Sequence, residues 1–292
     1  MKKPYDAIRR IAYAAQLSAV LEASSEKPGN VTPTHDFSDT TYSDYMAGSI
    51  ALGRCAGEAA YKGYKAGCEE IPASTIGIGE LILVGVNDVK RSHSGGNTHL
   101  GTIMLFVPIS AAAGMCLAKD IGFSGLRKSL KEIIAASTEK DSYDLYNAID
   151  EAKTGGIGKL LKKDLSFSEL MKESAEKDRI CEELSNGLPI IFADAIPCFE
   201  KDKKKEKDIR NAIQKTYLTL LSKYPDTLIE KKKGKVSAKA VSKKAGETLA
   251  GKTSIACFDE YLRTHGNSLN PGTTADLIAA TIFLDMIKKE IF

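Results

Sequence analysis

The chain has 292 residues, a formal net charge of +3, and 43% hydrophobic and 27% charged residues. These values are typical of a globular protein and argue against a disordered chain or a fibrous repeat. A chain of this length buries about three quarters of the surface that its unfolded form exposes, so its stability requires neither disulfides nor a structural metal.

The amino-terminal segment does not have the pattern of a signal peptide. Residues 5–21 carry Asp6, Arg9 and Arg10 where a signal peptide needs an unbroken apolar core. The six cysteines contain no Cys-x-x-Cys pair, which is typical of buried thiols in a reducing compartment. We therefore expect a cytoplasmic protein.

Apolar and small residues recur at helical spacing through most of the sequence. The spacing predicts helices over 4–23, 41–66, 73–87, 99–118, 124–137, 142–153, 168–185, 204–223, 236–250, 254–264 and 273–290. The glycines of the third segment keep a strand over 76–86 as an alternative, and 188–192 is the best strand pattern elsewhere. We predict an all-α fold in a single domain that spans residues 1–292.

The most apolar stretch, residues 102–118, is about as long as the shortest membrane span. It contains Pro108 and Gly114 and consists mostly of small residues, which favours a buried helix over a membrane segment. Helices rich in small residues, such as those around Gly53 and Ala112, can pack within one chain or across a homodimer equally well.

The positive charge is concentrated in residues 201–252, which contain 16 basic and 6 acidic residues. Such a segment can form a surface for nucleic acid, a membrane or a phosphate-rich substrate. The run Lys201–Lys207 is also explained by a solvated helix face. Aromatic residues do not alternate with these lysines as they do in single-strand nucleic-acid binders, so the sequence disfavours a nucleic-acid partner.

The first loop with candidate functional residues contains Lys27-Pro28-Gly29, followed by His35-Asp36. Pro28 fixes one backbone dihedral and Gly29 frees the next, so the sequence predicts a tight turn that can present the Lys27 ammonium to a phosphate. An ordinary turn between two helices is the simpler explanation of the same residues.

A second group of polar residues surrounds the glycine pair Gly95-Gly96. It consists of Arg91, His93, Asn97, Thr98 and His99. Two adjacent glycines allow backbone N–H groups to approach a ligand, and the amino end of the following helix favours an anion. The sequence therefore predicts a phosphate site here, although the loop matches neither the Walker A pattern nor the dinucleotide fingerprint.

Two further loops place an aspartate near the start of a predicted helix. Asp226, which follows Pro225, can cap a turn or supply a carboxylate to Mg²⁺, which usually takes one or two protein carboxylates. Asp276 lies in the first turn of the last helix, after Thr273 and Thr274, where helix capping and the helix dipole account for it fully.

Taken in this order, the loops resemble the triphosphoribosyl-dephospho-coenzyme A synthase family. The resemblance covers most of the chain, and five short motifs in family order carry it. These are Lys27-Pro28-Gly29 with Val31, His35-Asp36, Gly96-Asn97-Thr98-His99 with Gly101, Pro225-Asp226-Thr227, and Asn270-Pro271-Gly272-Thr273-Thr274-Ala275-Asp276-Leu277. The lysine-rich, tryptophan-free composition indicates an archaeal-type member.

The resemblance implies an all-helical transferase that joins the ribose of ATP to a hydroxyl of 3′-dephospho-CoA, retains the triphosphate and releases adenine. It also implies Mg²⁺ as a cofactor bound with ATP. The predicted catalytic residues are His99, Asp226 and Asp276, with His99 as a proton donor or phosphate contact. The predicted metal ligands are Asp36, Asp226 and Asp276. The predicted substrate- and phosphate-binding residues are Lys27, Arg91, Gly95, Gly96, Asn97, Thr98, Asn270, Thr273 and Thr274.

The chain departs from the family pattern at three positions. Asn30 stands where many members have leucine, Thr32 where they have aspartate, and Leu100 where they have lysine or arginine.

A missing basic residue beside the phosphate loop can change the acceptor, so the same chemistry on another acceptor, for example a one-carbon-cofactor precursor, is an alternative. Hydrolysis of the ribosyl bond is a second alternative. A non-catalytic helical protein that binds nucleotide or nucleic acid through residues 201–252 is a third.

Overall fold

The computed structural model describes residues 4–152 and 164–292, and its regular secondary structure is helical. The helices of the first segment are α1 (Pro4–Ala23), α2 (Tyr42–Ala51), α3 (Gly53–Gly67), α4 (Ile78–Ser92), α5 (Leu100–Lys119), α6 (Leu126–Ala135) and α7 (Glu139–Glu151). Those of the second segment are α8 (Phe167–Ser174), α9 (Arg179–Asn186), α10 (Ile196–Lys205), α11 (Ile209–Lys223), α12 (Thr227–Leu249), α13 (Ile255–Arg263) and α14 (Gly272–Glu290). The predicted all-α class is confirmed.

Helix α5 lies at the centre of the fold. Among the described residues it is the one helix long and apolar enough to cross a membrane, but 89% of its most apolar window is buried inside the protein. Its Phe106 ring packs against Phe283 of α14 with the ring centroids 4.7 Å apart. Most of the buried apolar side chains of the described residues form one continuous cluster that includes it. The prediction of a buried core helix is therefore correct.

Small residues allow α3 to pack closely against α5. A Cβ atom at Gly63 would lie 1.9 Å from the carbonyl oxygen of Ala111, and one at Gly114 would lie 1.9 Å from that of Ala60. At both positions only glycine fits without moving the backbone of the neighbouring helix. The small residues near Ala112 therefore serve packing within the chain.

Both strand alternatives are wrong. Residues 76–86 lie mainly in α4, and residues 188–192 enter a π-helical turn, Ile191–Ala195, that continues into α10. The Glu183 carboxylate accepts hydrogen bonds from the backbone N–H groups of Ile190 and Ile191, at 2.8 and 3.1 Å. A buried side chain from another helix thus satisfies the first amides of this turn, which a local sequence pattern does not reveal.

Two predicted helices are divided in the structure. The helix predicted over 41–66 starts at its predicted cap, where the Thr41 and Asp44 side chains form a capping box, but it is broken at Leu52 between α2 and α3. The helix predicted over 168–185 is divided into α8 and α9, and Asp178 caps the second part.

Helices in the basic segment also begin elsewhere than predicted. Asp208 caps α11, which therefore starts five residues later than predicted, and α10 lies before it. Asp226 caps α12, which starts nine residues earlier than predicted and is kinked at Gly234, where φ is +82°. Aspartate side chains that bond backbone amides set both starts.

Candidate functional site

The Asp276 carboxyl group lies at the junction of the first turns of α14 and α5. Its Oδ1 atom accepts a hydrogen bond of 2.6 Å from the Thr102 hydroxyl, the one donor to it among the described residues. A Cβ atom at Gly101 would lie 2.1 Å from Oδ2, so a glycine is required where α5 meets this carboxyl group.

The surroundings of Asp276 favour its neutral form. Burial raises the pKa of Asp276 to about 8, the Thr102 hydrogen bond opposes this rise, and the negative charges of Glu22, Asp226 and Asp178 add to it. The side chain is nevertheless only partly buried. At neutral pH the protonated form of this carboxyl group is therefore favoured.

Asp226 is also buried, but both oxygens of its carboxylate already accept hydrogen bonds. Oδ1 accepts the backbone N–H groups of Leu228 and Ile229 at 2.9 and 3.2 Å. Oδ2 accepts the backbone N–H and the hydroxyl of Thr274 at 2.7 and 2.8 Å. Burial raises the pKa of Asp226, and these four hydrogen bonds oppose the rise. Asp226 caps α12 and fastens it to the start of α14.

The three predicted metal ligands do not form a metal site. Asp36 is exposed, and its carboxylate accepts the backbone N–H of Tyr42 at 2.6 Å. The oxygens of Asp226 are occupied as described above. No group of three or more histidine, cysteine, aspartate or glutamate residues within the described ranges is placed to hold a metal ion. The structure therefore does not bring Asp36, Asp226 and Asp276 together as one site of three carboxylates.

Lys27 is buried and its charge is compensated by Glu22. The Lys27 Nζ atom lies 3.1 Å from Glu22 Oε1, and the side chain of Lys27 is completely buried. The ammonium also donates to the backbone carbonyl of Glu22 and, at 3.0 Å, to that of Ser25. The amine predicted to contact phosphate thus has acceptors for its three hydrogens within the chain.

The turn that carries Lys27 is fixed from two other helices. The Tyr217 hydroxyl of α11 donates to the Pro28 carbonyl at 2.7 Å and accepts from the Asn30 amide at 2.9 Å. Asp259 of α13 accepts the Gly29 N–H at 2.7 Å. Gly29 has a φ of +80°, which favours glycine. The predicted tight turn is present, and its backbone is held by side chains distant in sequence.

The amides of the predicted glycine loop are used within the protein. Gly95 N donates to His93 Nδ1 at 3.1 Å. Gly96 N donates to the Asp39 carbonyl at 3.1 Å and to the Thr40 hydroxyl at 3.2 Å. These bonds fasten the loop to the segment before α2, so neither glycine amide is free for a phosphate.

The other predicted residues of this loop are also engaged in local contacts. Asn97 Oδ1 accepts the Leu100 N–H at 3.2 Å. The Thr98 hydroxyl lies 3.2 Å from His93 Nε2 and 2.6 Å from His99 Nδ1. Arg91 is exposed and lies in the last turn of α4, before the loop to which the sequence assigned it.

His99 is buried beside the first turn of α5. Its Nε2 atom lies 3.2 Å from the Ser49 hydroxyl, and its ring packs against that of Tyr45 with the centroids 5.3 Å apart. Burial, with a smaller contribution from His93, lowers the pKa of His99 to about 3. The imidazole is therefore neutral at pH 7, and in this environment it is a hydrogen-bonding group rather than a cationic acid or a cationic phosphate contact.

The predicted substrate-binding residues at the start of α14 have different surroundings. The Thr273 hydroxyl accepts from Thr227 at 3.2 Å, and Thr274 is bonded to Asp226. Asn270 is 9% exposed, and its Oδ1 atom has no hydrogen-bond partner among the described residues. A buried unpaired amide oxygen is costly, so Asn270 is the member of this group with unused hydrogen-bonding capacity.

Three residues of the site are absent from the predicted set: Glu22, Tyr45 and Lys232. The charges of Glu22 and Asp276 both raise the pKa of Tyr45, after the larger effect of burial. The Tyr45 hydroxyl has no hydrogen-bond partner in the described chain. In the sequence, Glu22 and Tyr45 occupy ordinary helix positions, so no local signal identifies them.

Lys232 is an amine without an ion-pair partner among the described residues. Its Nζ atom has one long contact, 3.4 Å to the Asn267 carbonyl. Partial burial lowers the pKa of Lys232, and the charges of Asp226 and Asp39 oppose this change. Neighbouring Lys231, in contrast, pairs with Asp178. Lys232 therefore supplies uncompensated positive charge beside Asp226.

Comparisons with known proteins extend over most of the chain. Residues 8–291 match the family described as ATP:dephospho-CoA triphosphoribosyl transferase. The 2-(5″-triphosphoribosyl)-3′-dephosphocoenzyme-A synthase of Klebsiella pneumoniae is 27% identical over 206 residues, which are 68% of this chain and 63% of that protein. A protein of Streptococcus mutans named as a probable synthase of the same kind is 24% identical over 67% of each chain.

The crystal structure of an Archaeoglobus fulgidus protein assigned as a triphosphoribosyl-dephospho-coA synthase without an established activity matches with a TM-score of 0.58 and 23% identity. It covers 81% of this chain and 98% of its own. This likeness establishes a shared fold. The matches to the Salmonella and Klebsiella relatives span 63% of the length of those proteins.

Proposed function

Because the chain belongs to the ATP:dephospho-CoA triphosphoribosyl transferase family, we propose that it transfers the triphosphoribosyl group of ATP to 3′-dephospho-CoA with release of adenine. The position of the Asp276 carboxyl group, which Thr102 orients and whose pKa is raised, is the observation that carries this proposal. Adenine is a poor leaving group as an anion, so its departure requires a proton at the moment when the ribosyl bond breaks.

Asp276 can supply this proton. Its Oδ1 atom is oriented by the Thr102 hydroxyl, and its second oxygen has no partner in the described residues. Burial, with a smaller contribution from the charges of Glu22, Asp226 and Asp178, raises the pKa of Asp276 to about 8 and so favours the protonated form. A general acid of this kind contributes about 10²- to 10⁴-fold to the rate.

Lys232 is the proposed contact of the triphosphate, and Asn270 is the proposed contact of a donor group of the substrate. Lys232 is a cation without an ion-pair partner among the described residues. The unpaired Oδ1 atom of Asn270 accepts hydrogen bonds, so it fits a ribose hydroxyl or an amino group rather than a phosphate oxygen. Lys27, in contrast, is neutralised by Glu22. A polyphosphate placed near the start of α14 also benefits from the positive end of that helix.

Mg²⁺ remains part of the proposal as an ion that arrives with ATP. Because the structure does not bring Asp36, Asp226 and Asp276 together as one site, no step of the mechanism is assigned to a metal ion. Removal of Mg²⁺ with a chelator is expected to weaken ATP binding, measured as a Kd by calorimetry.

One observation favours an acceptor other than 3′-dephospho-CoA. Leu100 is buried at the start of α5, where the family resemblance leads one to expect a basic residue. A basic side chain there could contact an acceptor phosphate, and this chain lacks it. The alternative is therefore the same donor chemistry on an acceptor with fewer phosphates, such as a one-carbon-cofactor precursor.

The cellular setting is also part of the proposal. All six cysteines are free thiols, which supports a reducing cytoplasm. The predicted burial is wrong for Cys68 and Cys257, which are exposed. We retain the predicted homodimer as a hypothesis, which sedimentation of the purified protein would test.

The test is incubation of the protein with ATP, Mg²⁺ and 3′-dephospho-CoA, followed by chromatography of free adenine and mass measurement of the adduct. Equal amounts of adenine and triphosphoribosyl adduct support the proposal. Adenine without an adduct indicates hydrolysis, and the absence of adenine contradicts the assignment of ATP as the donor in this reaction. Repetition with other hydroxyl acceptors distinguishes the two acceptor classes.

A further inference from the structure

We propose that Glu22 is the base that accepts the proton of the acceptor hydroxyl, and that Lys27 holds the Glu22 carboxylate in its ionised form. This inference rests on the proposed function and extends it. It assigns to Glu22 a role that neither the sequence motifs nor the family comparisons indicate, and it gives Lys27 a role other than phosphate binding.

The first observation is the isolation of the pair. Glu22 is 8% exposed and Lys27 is 1% exposed, and Lys27 is the one cation near the Glu22 carboxylate in the described chain. Burial raises the pKa of Glu22, and the charge and hydrogen bond of Lys27 oppose the rise. Without Lys27 the carboxylate would take up a proton more readily and lose its function as a base.

The second observation is the rigidity of the support. Lys27 cannot move toward a ligand without leaving the carbonyls of Glu22 and Ser25. The turn behind it is held at Pro28 by Tyr217 and at Gly29 by Asp259. Arg263 ion-pairs with Asp259 at 2.7 Å and donates to the Asn30 carbonyl at 2.8 Å. This arrangement fixes Lys27 against Glu22.

The third observation is the position of Glu22 relative to the proposed acid. Its charge contributes to the raised pKa values of Asp276 in α14, Tyr45 in α2 and Tyr217 in α11, after the larger effect of burial in each case. Lys27 is the charged group at ion-pair distance from Glu22. Apart from Lys27, no described residue donates to the Glu22 carboxylate, which therefore has capacity for a ligand hydroxyl.

The proposed step balances protons and electrons. The acceptor O–H bond breaks, its proton passes to Glu22, and the oxygen forms a bond to the anomeric carbon. The bond from that carbon to adenine breaks with its electron pair on the base, which takes the proton of Asp276. Glu22 ends protonated and Asp276 ionised, and exchange of one proton with solvent restores both. Two carboxyl groups with opposite protonation states thus serve as base and acid.

The test uses a paired substitution because Glu22→Gln alone leaves a buried ammonium without a counter-charge. The double variant E22Q/K27M removes both charges, which buried ion pairs often tolerate without loss of stability. It is expected to fold, to bind ATP with a Kd within about threefold of wild type, and to lose about 10²- to 10⁴-fold in kcat. Adenine release and calorimetric ATP binding provide the two readouts.

The single variant K27M provides an independent readout. It keeps the Glu22 carboxyl group but removes the cation, so the acidic limb of the pH profile of kcat/KM should move to higher pH. The matched control is Glu26→Gln, because Glu26 is an exposed glutamate of the same turn that bonds Thr34. This control should match wild type in both readouts.

Three results would overturn the inference. One is an E22Q/K27M variant with kcat within about threefold of wild type, and another is a K27M profile with an unmoved acidic limb. The third is a loss of ATP affinity in K27M with unchanged kcat, since Lys27 would then bind phosphate. If wild type releases no adenine with any acceptor, the proposed function fails and the inference falls with it.

Discussion

Two aspartates near the start of α14, Asp226 in the cap of α12 and Asp276 in the first turns of α14, differ in how their carboxyl oxygens are used. The region around Asp226 joins the first turns of α12 and α14 through four hydrogen bonds to one carboxylate. The region around Asp276 joins α14 to α5 through a single hydrogen bond from Thr102. The two residues lie in different family motifs but have the same predicted roles, catalysis and metal binding.

The number of hydrogen bonds to each carboxyl group indicates which aspartate supports the fold and which is available for the reaction. A carboxylate with four donors has little capacity left for a metal or a substrate, and its loss would leave several buried donors unpaired. A carboxyl group with one donor and a raised pKa has a free oxygen and an exchangeable proton. We therefore assign Asp226 to the fold and Asp276 to the reaction.

The largest expected effect is that of Asp276→Asn. This variant keeps an acceptor for Thr102 but has no proton to donate, so kcat for adenine release should fall about 10²- to 10⁴-fold. Because asparagine is neutral, the melting temperature at pH 8 should equal or exceed that of wild type. Activity within about threefold of wild type would remove Asp276 from the mechanism.

The main effect of Asp226→Ala should be a loss of stability rather than the loss of a catalytic group. It removes the cap of α12 and leaves the Thr274 N–H without its partner, which we expect to lower the free energy of unfolding by about 2–4 kcal/mol. Urea denaturation at pH 7 measures this loss. A variant of normal stability without activity would reverse our assignment of Asp226.

The pH dependence should distinguish Asp276 from the other groups. Since Asp276 must be protonated to act, kcat/KM should fall as pH rises through about 8, by about tenfold for each further unit. The folded-state pKa lies above the ordinary value of 3.8, so the native state holds a proton that the unfolded state releases, and stability should decline from about pH 4 to pH 8. In Asp276→Asn both effects should be smaller.

His99→Gln should have the smallest effect in this series. Glutamine can replace the hydrogen bonds to Ser49 and Thr98, and the wild-type imidazole is already neutral at pH 7. We expect kcat to fall by about tenfold or less, with an unchanged pH profile. A loss above about 10²-fold together with a missing pH limb would support the proton-donor role predicted from the sequence.

The sequence predicts much of the fold because helical periodicity and side-chain caps are local. Helix α1 has its predicted bounds, and the capping box of Thr41 and Asp44 is confirmed. The strand prediction over 188–192 is wrong because Glu183, which accepts hydrogen bonds from the amides of that turn, lies on a different helix. Packing between distant segments decides such cases.

The candidate site is less predictable for the same reason. The motifs identify Asp276 and Lys27, but whether each is free or paired depends on Thr102 and Glu22. The Gly95-Gly96 loop has the composition of a phosphate loop, yet Asp39 and Thr40 occupy the Gly96 amide. A sequence motif therefore identifies candidate site residues. The structure shows which of their polar groups remain available for hydrogen bonds to a ligand.

The most direct test is a single-turnover comparison of wild type and Asp276→Asn with enzyme in excess over ATP, in the presence of Mg²⁺ and 3′-dephospho-CoA at pH 7. Adenine and the triphosphoribosyl adduct are counted in each sample. We predict one adenine for each adduct in wild type, and a rate about 10²-fold or more lower in the variant. Equal rates in the two proteins, or adenine without adduct in wild type, would contradict the account.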